Sequence, residues 1–133
     1  MFSGYKKGGM QKAVYNTKQK GELTFIVFKE NSDYVAVCLN FNLVEYGKDP
    51  SKLQKSIEDA ALSYLEATRK KELSDEYLNV GTEKKYVDRL KEIEYAEELG
   101  QRVKRIKRTN QLKKPSFFTF KKQPYYNQGL VTP

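Results

Sequence analysis

Few residues in this 133-residue chain have the types and spacing that chemistry requires, and most of them argue against catalysis. Histidine is absent, which removes the commonest general base and the commonest zinc ligand together. Magnesium-dependent hydrolysis needs several carboxylates converging on one point. The acids nearest the apolar runs, Glu22, Glu30, Asp33 and Glu45, stand at the ends and turns of those runs and not on one strand face. Cys38, the single cysteine, lies between Val37 and Leu39 with no histidine to activate it, so it reads as a buried, reduced thiol. Gly8 and Gly9 have no strand before them and no Gly-Lys-Ser/Thr after them, so they read as a joint and not as a phosphate loop. No catalytic residue, cofactor site or metal site is expected.

Charge is where the chain carries information. The net charge is +8, but residues 1–21 hold five lysines and no acid, residues 22–98 hold all seventeen acids against eleven bases, and nine bases with no acid follow Glu98. Clustered lysine and arginine release counterions from phosphates or speed association with acidic surfaces. The expected nucleic-acid-binding residues are Arg102, Lys104, Arg105, Lys107, Arg108, Lys113, Lys114, Phe118, Lys121 and Lys122, because cations track phosphates and aromatic faces stack on unpaired bases. The same aromatics, Phe117, Phe118 and Phe120, also suit an edge strand that fills a core, and both readings stand. In the acidic middle, Glu58, Asp59 and Glu66 are the expected docking face for a basic partner, beside the plainer reading of a solvated helix back.

The elements that position these residues follow from periodicity. Residues 23–28 and 34–39 are continuous runs rich in β-branched and aromatic side chains, joined through Glu30, Asn31, Ser32 and Asp33, which predicts a hairpin. Phe41, Leu43, Glu45 and Tyr46 predict a third strand ending at Gly47. Asp49 is placed to cap a helix and Pro50 to be its first residue; Leu53, Ile57, Ala60, Ala61, Tyr64, Leu65 and Thr68 then form an apolar stripe to lie on the sheet, with Lys52, Lys55, Glu58, Asp59, Glu66 and Arg69 outward. Two segments compete for a fourth strand, 77–80 and 116–120, and the later is favoured. Thr82 opens a second helix to about Lys107, with Tyr86, Leu90, Ile93, Leu99 and Val103 as sparse apolar positions, and this charged helix is expected to project.

The expected class is therefore α+β, an antiparallel β-β-β-α unit with a possible extra C-terminal strand and a second charged helix. Its parts are a basic flexible arm (1–21), the α+β domain (22–81), the charged helix (82–108) and a basic aromatic tail (109–133). The length suits one domain. No run approaches the roughly 18–20 apolar residues of a membrane helix, and the basic N-terminus has no apolar stretch behind it. A cytoplasmic protein with no membrane partner is expected.

Residues 23–68 resemble the N-terminal domain of the HicB-like antitoxin family. The likeness rests on the strand YVAVCLNF, the following LVEYGKDP and the helix SKLQKSIEDAALSYLEAT, with Tyr34, Val35, Ala36, Gly47, Asp49, Pro50, Tyr64, Leu65 and Glu66 at the matching places. Where that family usually has Pro-Gly before the third strand, this chain has Phe41, Asn42 and Leu43. The resemblance implies a partial ribonuclease H-like fold without nuclease activity, acting as an antitoxin that masks a small basic RNA-cleaving toxin of the HicA type. Family members often add a helix-turn-helix or ribbon-helix-helix DNA module, and neither order of elements is present after residue 82. Two other readings remain: a stand-alone nucleic-acid-binding protein using its basic aromatic tail, and a non-catalytic subunit of a larger assembly. Homo-oligomerisation is expected.

Overall fold

The computed structural model describes residues 15–106 and 118–126. Strand β1 (Lys20–Glu30) turns through Asn31 and Ser32 into β2 (Asp33–Cys38), and β3 (Leu43–Gly47) follows after a four-residue loop. Helix α1 (Pro50–Lys70), a 3-10 helix (Asp75–Leu78), helix α2 (Lys84–Ile106) and strand β4 (Phe118–Tyr126) complete the order. The described residues thus form an α+β structure, an antiparallel four-stranded sheet in the order β3-β2-β1-β4 with two helices.

Both tight connections use asparagine where the chain needs positive φ. Asn31 has φ 62° in the hairpin turn, and Asn42 has φ 59° just before β3. Asparagine tolerates this region better than other residues with a Cβ. At Asn42 it does the conformational work that a glycine would do. The Thr82 hydroxyl donates to Asn42 Oδ1 at 2.9 Å and steadies the loop.

Helix α1 starts as its sequence predicts. Asp49 Oδ1 accepts the backbone N–H of Ser51 (3.0 Å) and of Lys52 (3.3 Å), and Pro50 is the first helical residue. Leu53, Ile57, Ala61 and Leu65 are buried against Leu23, Phe25, Val27, Ala36 and Cys38. Phe41 stacks on Tyr64 with ring centroids 4.4 Å apart, closing the β2–β3 loop over the helix. Truncating a fully buried aliphatic residue such as Ile57 to alanine is expected to cost about 2–5 kcal/mol.

The second helix does not project. Tyr86 and Ile93 are buried, with Val87 and Leu90 partly so, against Ile26, Phe28, Val35, Val37 and Leu39 on the opposite sheet face. The physical reason lies in β1 and β2. Their unbroken apolar runs point large side chains to both faces in turn, and a single helix covers only one of them. Continuous runs, unlike alternating ones, are the mark of strands buried on both sides.

The fourth strand is the later candidate: it runs from Phe118 to Tyr126 against Lys20–Phe28 of β1, past the expected end at residue 120, while residues 116 and 117 lie outside the described residues. Pro124 is tolerated because β4 is an edge strand. Of the competing segment 77–80, Tyr77 and Leu78 close the 3-10 helix Asp75–Leu78. The basic aromatic tail is therefore partly a structural strand, with Tyr125 in the α1-side core and Phe120 against the α2-side core.

The N-terminal segment expected to be a flexible arm is anchored from Asn16 onward, and Lys20 and Gly21 already belong to β1. Residues 1–14 lie outside the described residues. Asn16 is fully buried; its N–H donates to Asn79 Oδ1 and its carbonyl accepts from Asn79 Nδ2, each at 2.8 Å. Its side chain donates to the Leu78 carbonyl (3.1 Å) and accepts from the Glu22 N–H (2.8 Å), so every polar group is satisfied.

Candidate functional site

The exposed back of α1 carries the residues expected to meet a partner. At about 100° per residue, Asp59, Leu62 and Glu66 fall within roughly 60° of one another around the helix. Asp59 and Glu66 are exposed, and Leu62 between them is 46% exposed, an apolar side chain with carboxylates on either side. Lys55 shares this face and lies 3.9 Å from Asp59, a loose i,i+4 pair. Glu58 does not join them. It accepts from Gln54 Nε2 (3.1 Å) and pairs with Lys121 Nζ of β4 (2.9 Å), so it ties helix to sheet.

That pair also removes Lys121 from the basic surface. Alternation along β4 sends Lys121 to the α1 face and Lys122 to the α2 face, where Lys122 is exposed opposite Thr24. Four residues further along, Tyr126 is 65% exposed and lies directly opposite Lys20, itself exposed. Lys20, Lys122 and Tyr126 thus share one open half of the β1–β4 ladder, with Glu22 on the same face opposite Pro124. The expected nucleic-acid-binding residues included Lys122 but not Lys20; strand alternation with the register of β4 was the missing signal.

The other expected basic residues are scattered. Arg102, Lys104 and Arg105 continue the backbone of α2. Phe118 opens β4 opposite Phe28. Lys107, Arg108, Lys113 and Lys114 lie outside the described residues. Two cations, Arg69 expected on the outward face of α1 and Lys18 in the expected flexible arm, are engaged inside the fold. Lys18 Nζ donates to the Leu73 carbonyl (2.6 Å) and to Asp75 (3.0 Å). Arg69 donates from Nε to the Lys18 carbonyl (2.9 Å) and from its terminal nitrogen to the Tyr126 carbonyl (3.3 Å), with its guanidinium over the Tyr125 ring.

Reactive groups are few here. Cys38 is fully buried, and that burial pushes its thiol up to about 11, away from the thiolate a nucleophile needs. Tyr86 and Tyr125 are pushed up to about 12, each chiefly by burial, with a hydrogen bond involving Tyr46 adding to the rise at Tyr86. Among the described residues no group of three or more Cys, Asp or Glu gathers where it would hold a metal ion. No described helix is long and apolar enough to cross a membrane.

No protein-family model, curated protein or solved structure matches the chain.

Proposed function

We propose that the chain is a non-catalytic protein-binding module of the antitoxin kind, in which the back of α1 docks a small basic protein. The observation that carries this reading is the exposed Leu62 held between Asp59 and Glu66. An apolar centre with carboxylates beside it combines a desolvated contact with attraction for a basic surface. The resemblance of residues 23–68 to HicB-like antitoxins makes the expected partner a small basic ribonuclease of the HicA type, encoded in a neighbouring reading frame. The test is inhibition of that ribonuclease by the purified chain and by an Asp59→Lys/Glu66→Lys variant. Inhibition by the wild type with at least tenfold weaker inhibition by the variant is expected. No inhibition, or equal inhibition by both, overturns the reading.

A second reading is favoured by one specific feature, the cluster of Lys20, Lys122 and Tyr126 on the open half of the β1–β4 ladder. Two cations and an exposed ring on a sheet face suit a single nucleic-acid strand, with the ring stacking on a base. Deleting residues 101–133 is no test of it, because that removes β4 from the fold. The triple change to alanine leaves the strand pairing in place. It is expected to abolish salt-sensitive binding to single-stranded oligonucleotides. Binding unchanged by the triple substitution eliminates this surface.

A further inference from the structure

Helix α2 has two apolar stripes, and the sheet uses only one. Tyr86, Leu90 and Ile93 recur at helical spacing and face the sheet. Tyr95 and Leu99 fall roughly half a turn away from that stripe at about 100° per residue. They are 65% and 41% exposed. Val103 and Ile106 take the next positions of the same second stripe, continuing the helical spacing to the end of α2.

The charges along this half of the helix are separated in sequence. Glu92, Glu94, Glu97 and Glu98 precede Gly100 with no base among them, and Arg102, Lys104 and Arg105 follow it with no acid among them. The order suits the dipole of a single helix. It also has a consequence for pairing: parallel copies would set acid beside acid, whereas antiparallel copies set the acidic block of each beside the basic block of the other. The apolar positions have the matching symmetry. In an antiparallel pair the helical position of Tyr95 comes opposite that of Ile106, and the position of Leu99 opposite that of Val103, both about the same point beside Gln101, which is the arrangement of a two-fold interface.

We infer that the C-terminal half of α2 pairs antiparallel with the same segment of a second copy of this chain. Docking on the α1 back and pairing through α2 use different helices, so one does not require the other. The seam is short, and a dissociation constant on the order of micromolar is expected.

Sedimentation equilibrium of the full chain, over concentrations from about 1 to 500 µM, tests this. The mass is expected to rise from monomer to dimer. Leu99→Lys is expected to weaken the dimer at least tenfold, whereas Leu62→Lys, at an exposed leucine of α1, leaves it unchanged. Because Leu99 is exposed, the folded state should survive the change, and Tyr95→Lys gives an independent second test. Orientation is read by a short bis-maleimide, since buried Cys38 leaves an introduced thiol as the reactive one. Chains carrying Tyr95→Cys are expected to couple to chains carrying Ile106→Cys and not to one another. A monomer at every concentration, a dimer indifferent to both lysine variants, or coupling of Tyr95→Cys chains to each other overturns the proposal. Those results would assign the stripe to another protein or a nucleic acid, or reverse the pairing.

Discussion

Lys121 Nζ lies 2.9 Å from Glu58 Oε2 and joins residues that stand 63 positions apart in the chain. Each reads as part of a different binding surface, one basic and one acidic. In the fold they cancel, and together they fasten the edge strand β4 to helix α1. A charge run read along the chain counts both as available, while packing consumes them pairwise.

The pair is partly exposed, with side-chain exposures of 42% for Lys121 and 24% for Glu58, so its contribution is modest. A double-mutant cycle with Lys121→Ala and Glu58→Ala, read by urea denaturation, is expected to give a coupling of about 0.5–1 kcal/mol. A coupling indistinguishable from zero would mean that β4 is held without this contact.

Gly21 is packed beneath the N-terminal clasp. A Cβ at this position would stand 2.6 Å from the Tyr125 hydroxyl and would also press on the Asn16 side chain. The Tyr125 hydroxyl donates to the Thr17 carbonyl at 2.7 Å, so neither neighbour moves without losing a hydrogen bond. Gly21→Ala is expected to destabilise the protein by about 1–3 kcal/mol, seen as a lower Tm. An unchanged Tm would show that the clasp yields freely.

Helix α1 ends in a Schellman arrangement without the usual glycine. The Leu73 N–H donates to the Thr68 carbonyl and the Glu72 N–H to the Arg69 carbonyl, both at 3.0 Å, and Glu72 takes φ 50°. A side chain with a Cβ is strained there by roughly 1 kcal/mol. Glu72→Gly is therefore expected to raise stability by up to about 1 kcal/mol in chemical denaturation. A lower denaturation midpoint would contradict this account of the helix end.

Three buried groups set the alkaline behaviour. Cys38 is raised to about 11, and Tyr86 and Tyr125 to about 12. Each is neutral when protonated, so the folded state holds its proton at pH values where the unfolded chain, with pKa near 8.5 for Cys and near 10 for Tyr, has released it. The unfolded state then binds fewer protons, and stability falls as pH rises. Stability is expected to be independent of these groups below about pH 8.5, then to decline, by at most about 1.4 kcal/mol per pH unit for each group titrating. Urea midpoints across pH 7–11, compared with Cys38→Ala, measure the cysteine's share. A profile that stays flat to pH 11 would show that the thiol and phenols are not desolvated.

Much of the framework was legible in the sequence. The hairpin, the third strand and the start of α1 follow from residue types within a few positions of one another: apolar runs, a turn rich in Asn and Asp, and an Asp-Pro helix start. The positive φ at Asn31 and Asn42 falls on a residue that tolerates it. These are local effects, and local effects are carried by short stretches of chain.

What the tertiary structure decided was which faces meet. Helix α2 reads as a charged, sparsely apolar helix because its apolar residues are divided between two stripes, one on the sheet and one exposed. Its docking shows in the sequence only indirectly, through the two-sided apolar runs of β1 and β2. The division of Lys121 from Lys122, and the meeting of Lys20 with Tyr126, depend on the register of a strand that pairs with β1 across almost the whole length of the chain. One residue of slip would exchange both faces. The sequence by itself determined the secondary elements and the sign of each charge block; only the folded structure determined which charges are spent on one another and which remain for a partner, because that depends on contacts between residues far apart in the chain.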